Sequence, residues 1–227
     1  FTKSATGTAR KEDVWSSARG YPRLGAFFEG RLWLGGTRDK KQSLFASKSG
    51  ALLDFEIDEG ADDEAIFVTL TSRTLTEITD IYGGRNLQIF TSGGEYAILE
   101  ASTTAATINA RNQTSNGSLY IAVQEADGSV IFCDKNGKTL REYAYTFNED
   151  SYASNDITVL SSHLISSPVD SAFLTGTASD DSNWLFTLNA DGTASILNKL
   201  RAQDINAFTA MSLVTQFDHQ NGSCRSS

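Results

Sequence analysis

The chain has 227 residues, 40% of them hydrophobic, and a net charge of −9. That length buries a sizeable core without disulfide or metal staples, in one large β domain or two small ones. The acidic balance argues against a nucleic-acid-binding surface, which needs clustered Lys and Arg, and no apolar run is long enough for a transmembrane helix.

Residues 1–20 are polar around a lone Trp15 and read as an arm or linker. The start carries no signal-peptide pattern and no initiator Met, and the end is polar, so the chain reads as a piece of something longer. Then come short strands broken by turns. Leu24-Gly25-Ala26-Phe27-Phe28, a Glu29-Gly30 turn and Arg31-Leu32-Trp33-Leu34-Gly35 form a hairpin. Strands at 43–47 and 65–70 follow. A second cluster has strands at 75–81, 86–90 and 96–99, with turns at Gly83-Gly84 and Gly93-Gly94. A third has strands at 118–124, 130–133 and 140–147, with turns at Asp127-Gly128 and Asn136-Gly137. A fourth has strands at 171–175, 184–188, 193–197 and 207–214, turning at Asp191-Gly192. Residues 102–118, rich in Thr, Ala, Asn and Ser, read as a crossover, and 161–165 as one helical turn or a short strand.

Four meanders at a spacing of about 45–50 residues suit the blades of a β-propeller. The fold class is all-β, antiparallel and propeller-like, with four clusters fitting a partial propeller; a β-sandwich is the alternative. The propeller-like domain spans 21–214, with a candidate sub-boundary at 102–118, and 215–227 is a polar tail.

Catalytic chemistry is hard to assemble from these residues, and the chain reads as a non-enzyme. His163 and His219 stand far apart without a metal-ligand pattern. There is no G-x-S-x-G elbow and no phosphate-cradling Gly-rich loop ending in Lys-Ser/Thr. The acidic runs Asp58-Glu59, Asp62-Asp63-Glu64 and Asp180-Asp181 lie in loop-like contexts, where raising a pKa for glycoside cleavage is hard. Asp62-Asp63-Glu64 lacks the spacing of a calcium loop and reads as solvated charge. Cys133 sits in a strand and reads as a buried core thiol, and Cys224 lies in the tail. No catalytic, cofactor or metal residue is therefore assigned. The three Trp, 13 Phe and 7 Tyr read as core rather than as a sugar platform.

Some segments resemble a known family. Gly20-Tyr21-Pro22-Arg23 followed by Phe27-Phe28-Glu29-Gly30-Arg31-Leu32-Trp33-Leu34-Gly35-Gly36-Thr37 is similar to the entry motif of bacteriophage tail nozzle proteins, the tail tubular protein B-like family. Asp62-Asp63-Glu64-Ala65-Ile66, then Leu87-Gln88-Ile89-Phe90-Thr91-Ser92-Gly93-Gly94-Glu95-Tyr96, then Gly137-Lys138-Thr139-Leu140-Arg141-Glu142-Tyr143 and Asp156-Ile157-Thr158-Val159-Leu160 follow in the family's order. The likeness spans roughly 20–165 and loosens to about 200. Family members are several times longer, and 215–227 has no counterpart.

The resemblance implies a structural virion component, made in the bacterial cytoplasm and located in the phage tail. It implies a homo-oligomeric ring of six copies, tail adaptor and tail fibre proteins as partners, and DNA passing through without specific binding during ejection. A carbohydrate-binding or carbohydrate-cleaving propeller, such as a receptor-binding tail part, is the alternative. The motif residues Tyr21, Pro22, Arg23, Trp33, Gly35, Gly36, Gly93 and Gly94 are expected to shape turns, with Arg23 pairing a carboxylate.

Overall fold

The computed structural model describes residues 14–57, 61–99, 103–176, 182–200, 205–212, 215–218 and 223–226. They form four successive four-stranded antiparallel sheets. The first holds β1 (Leu24–Phe28), β2 (Arg31–Gly35), β3 (Ser43–Ala46) and β4 (Ile66–Thr69). The second holds β5 (Ile78–Gly83), β6 (Leu87–Thr91), β7 (Gly94–Ile98) and β8 (Ala110–Thr114). The third holds β9 (Gln124–Ala126), β10 (Ser129–Cys133), β11 (Leu140–Thr146) and β12 (Ser151–Asp156). The fourth holds β13 (Pro168–Leu174), β14 (Asn183–Asn189), β15 (Thr193–Leu200) and β16 (Ile205–Ser212). A hairpin of β17 (Thr215–Asp218) and β18 (Ser223–Ser226) ends the chain. Each sheet is a meander in sequence order, which is the connectivity of propeller blades.

The sheets stack face to face in chain order. Trp33, Leu44 and Ile66 of the first pack against Ile81, Leu87 and Ile89 of the second. Phe90 and Ala97 of the second meet Val130, Phe132 and Tyr143 of the third. Ile131, Cys133 and Leu140 of the third meet Leu185 and Leu197 of the fourth. Neighbouring residues on one strand therefore serve opposite cores, as period-two side-chain alternation requires. In β10, Val130 and Phe132 face backward along the stack while Ile131 and Cys133 face forward. Sheets covered on both faces have continuously buried strands, as in β6, β7 and β10. On the fourth sheet β14 alternates instead, buried at Leu185, Thr187 and Asn189 and exposed at Trp184, Phe186 and Leu188, whereas β3 of the first sheet is buried throughout, with Trp15 and Phe67 against Phe45.

Two of the tight hairpins have positive φ at both central residues, as a type I′ turn needs: Glu29-Gly30 (48° and 68°) and Asp127-Gly128 (54° and 77°). A bulge at Thr79 in β5 turns Asp80 toward the third sheet, where its carboxylate accepts from Val123 N at 2.8 Å.

The structure departs from the sequence reading in several places. The 102–118 crossover contains β8, an edge strand whose Arg111 and Asn112 are exposed. Residues 118–124 are not a strand; Ser118 makes an isolated antiparallel bridge to Asp134, and the strand there is Gln124–Ala126. β12 and the hairpin in the polar tail are strands at positions where the sequence reading places none. The end of the arm is packed, with Trp15 edge-on to Phe45 at 5.3 Å and to Phe55 at 5.1 Å. Residues 162–164 form a short 3-10 turn. No helix among the described residues is long and apolar enough to cross a membrane.

Candidate functional site

Among the motif residues, Trp33, Gly35 and Gly36 meet where the first and second sheets pack. Trp33 is fully buried and its Nε1 donates to Phe28 O at 3.3 Å. A Cβ on Gly35 would stand 3.0 Å from Ile81 Cδ1, so this glycine admits the second sheet by its size rather than by its φ. Gly36 needs its freedom, at φ +71°. Gly93 and Gly94 sit at the β6–β7 turn, where a Cβ would meet Thr76 Cγ2 at 2.3 Å and Thr114 O at 2.7 Å respectively. Tyr21 is exposed. Pro22 precedes Arg23, whose N–H donates to Gly35 O at 3.0 Å.

Arg23 and Gly36 border a cavity of about 60 Å³ with Lys41, Glu77 and Tyr120. Lys41 hydrogen-bonds and ion-pairs with Glu77, and this holds the Glu77 carboxyl below its ordinary range. Arg23 adds a smaller electrostatic pull on the same carboxylate. The constellation is a structural clasp between the start of β1 and the strand β5.

The acidic run Asp62-Asp63-Glu64 has a role that the sequence did not reveal. Its backbone carbonyls wrap the guanidinium of Arg31, which is only 3% exposed. Nη1 donates to Ser47 O at 2.7 Å and Glu64 O at 2.5 Å, and Nη2 to Asp62 O at 2.9 Å. These carbonyls bind a side-chain cation, so the loop is a cap on the first sheet.

A second buried charge crosses sheets. Lys199 of β15, 3% exposed, meets Glu142 Oε1 of β11 at 2.5 Å, and Ser129 donates to the same oxygen. This pair joins the third and fourth sheets.

Glu95 of β7 is fully buried. Burial pushes its carboxyl above the ordinary 4.5, while donation from Thr114 Oγ1 and from Asn116 N at 3.3 Å partly offsets the rise. Its Oε1 has no hydrogen-bond partner. Burial also raises Asp80. A carboxyl raised on folding contributes most below its unfolded pKa, and that contribution is lost as pH rises through the folded value. Glu95→Gln is therefore expected to flatten the decline of Tm as pH rises above 4.5, leaving the share due to Asp80. Equal Tm loss for the variant at every pH in a thermal scan would refute this.

Cys133 is buried and its thiol is pushed up to about 12, so it carries no thiolate chemistry at neutral pH. His163 lies exposed on the 3-10 turn. Among the described residues no three His, Cys, Asp or Glu side chains are placed to hold a metal. Asp58-Glu59, Asp180-Asp181 and His219 lie outside the described residues, as does the side chain of Cys224.

Apolar side chains also lie on the outward faces of the two end sheets, that of the first partly covered by Trp15 on the buried Phe45. On the fourth sheet, Trp184, Phe186 and Leu188 of β14 point away from the Leu185–Leu197 core. Register sets Leu174 beside Trp184, Ile196 beside Phe186, and Ala194 between Leu188 and Met211. Asp170, opposite Leu188, adds one carboxylate to this face. On the first sheet, Phe27 is 69% exposed and pairs with Leu32, while Leu34, Phe45 and Phe67 form a row beside them. Lys40 stands over the Phe67 ring at 5.6 Å. Phe45 and Phe67 border an apolar cavity of about 570 Å³ roofed by Val14, Trp15 and Ile57.

No protein-family model matches the chain, and no curated protein matches it. Among solved structures, a luciferin-regenerating enzyme is similar over 86% of this chain and 92% of its own, at 7% identity and a TM-score of 0.27. At those values the likeness carries no argument about activity.

Proposed function

We propose that this chain is a structural, non-enzymatic part of a phage tail nozzle, one segment of a ring through which DNA is ejected. The observation that carries the proposal is the pair of outward apolar faces at the two ends of the stack, with Trp184, Phe186 and Leu188 exposed on the fourth sheet and Phe27 and Phe67 exposed on the first beside the covered Phe45. The face of the fourth sheet carries Asp170, and the first carries Lys40 over Phe67. One face suits the other across a head-to-tail contact, and such contacts form a ring when the rotation between copies closes. The ordered motif resemblance adds the tail setting, the adaptor and fibre partners and the copy number of six.

Native mass spectrometry and electron microscopy of the purified protein test this. The expected result is a closed ring of six copies, joined fourth sheet to first sheet. A monomer or dimer at tens of micromolar overturns it. Peptides of this chain are likewise expected in purified virions, and their absence overturns the tail assignment.

A further inference from the structure

The second and third sheets pack through Phe90, Phe132 and Tyr143, yet leave a polar cleft of about 560 Å³ at the side of that core. Its walls carry Tyr82, Arg85, Gln88, Glu125, Tyr145 and Tyr152. This volume lies inside the roughly 300–1,000 Å³ of small-molecule sites.

The walls are pre-organised. Tyr152 stacks on the fully buried Tyr143 at 4.8 Å and 13°, and Tyr145 stands edge-on to Tyr152 at 5.5 Å. Tyr152 Oη donates to Asn86 Oδ1 at 2.9 Å and accepts a hydrogen bond from Gln88. The guanidinium of Arg85 lies over the Tyr145 ring at 5.0 Å. Tyr82 hydrogen-bonds Glu125 from the opposite sheet, and burial raises its phenol, so it stays a neutral donor. Gln88 is 5% exposed and its Oε1 has no hydrogen-bond partner.

We propose that this cleft binds a neutral oligosaccharide of two or three pyranose rings. Sugar hydroxyls each donate and accept, and the cleft supplies both functions from exposed side chains: Arg85 donates and Glu125 accepts. The C–H faces of pyranose rings suit tyrosine rings, which are apolar in body and polar at the tip; Tyr82 and Tyr145 are the half-buried rings of the wall, with Tyr152 buried behind Tyr145. One cation and one carboxylate offset each other, so an ionic ligand gains nothing over a neutral one. The site lies between the inner sheets and does not depend on ring assembly.

Saturation-transfer NMR followed by calorimetry tests it, with maltotriose, cellotriose, mannotriose and N-acetylchitotriose as neutral probes and 3′-sialyllactose as the acidic comparator. At least one neutral probe is expected to bind. Arg85→Ala and Glu125→Ala, both at exposed positions, are expected to weaken it tenfold or more with Tm unchanged. Three outcomes overturn the proposal: no neutral probe binds, only the acidic one binds, or binding survives both substitutions. Loss of the ring with sugar binding intact would sink the nozzle reading and leave this one standing.

Discussion

Replacing Arg31 by methionine is expected to destabilise the fold by about 3 kcal/mol, the scale for removing one partner from a buried charged network. Methionine fills much the same volume, so the loss reports the hydrogen bonds rather than a cavity. The carbonyls of Ser47, Asp62 and Glu64 all point at one guanidinium, and in its absence they remain buried or must open the loop to water. Arg31→Lys keeps the charge but cannot reach across the cage, because an ammonium is a compact point donor and a guanidinium a planar fork. Lysine should therefore fall between arginine and methionine. Urea unfolding measures the series, and a methionine variant within about 1 kcal/mol of the parent would show that the cage contributes little. The same variant should speed hydrogen exchange at Ser49 N, which is bonded to Asp63 O in the capping loop.

Arg31 illustrates what the sequence could and could not reveal. It stands in a hairpin that alternation and the Glu29-Gly30 turn marked correctly. Its partners, however, are backbone carbonyls, and any residue type supplies those. The strands of the fourth sheet are legible as short apolar runs around the Asp191-Gly192 turn; burial alternates along Trp184 to Leu188, but apolar character does not, because the outward residues there are Trp, Phe and Leu. Residues 118–124 misled for a physical reason. Leu119, Tyr120, Ile121 and Val123 have strand-like side chains, but the backbone donors serve other partners. Ser118 N donates to Thr91 O, Leu119 N to Cys133 O and Val123 N to the Asp80 carboxylate. β8 was missed for the converse reason: Arg111-Asn112-Gln113 has no apolar signal, and its pairing to β7 makes it a strand. The cleft of Tyr82, Arg85 and Glu125 brings residues 40 positions apart to one wall of each of two sheets, a juxtaposition that no local pattern encodes.

Phe186→Glu is expected to break the assembly and leave the subunit folded. Phe186 projects from the open face, on the side of β14 opposite Leu185, so the internal core does not feel the change. Across a sheet-to-sheet contact, the glutamate would place an uncompensated charge among Leu174, Trp184 and Ile196 in the partner's shadow. That costs about 3–5 kcal/mol, or a hundredfold or more in affinity at each junction. Phe27→Glu should do the same from the first sheet. Mixing the two variants gives a sharper outcome. The Phe27→Glu copy keeps an intact fourth sheet, and the Phe186→Glu copy keeps an intact first sheet. One good junction can therefore form between them, and the exposed ends of that pair both carry glutamate. Head-to-tail assembly thus predicts two monomers that combine into a dimer and stop there. Like-to-like pairing of the faces would let each variant dimerise alone through its untouched sheet. Sedimentation of the two variants, separate and mixed, decides between these geometries.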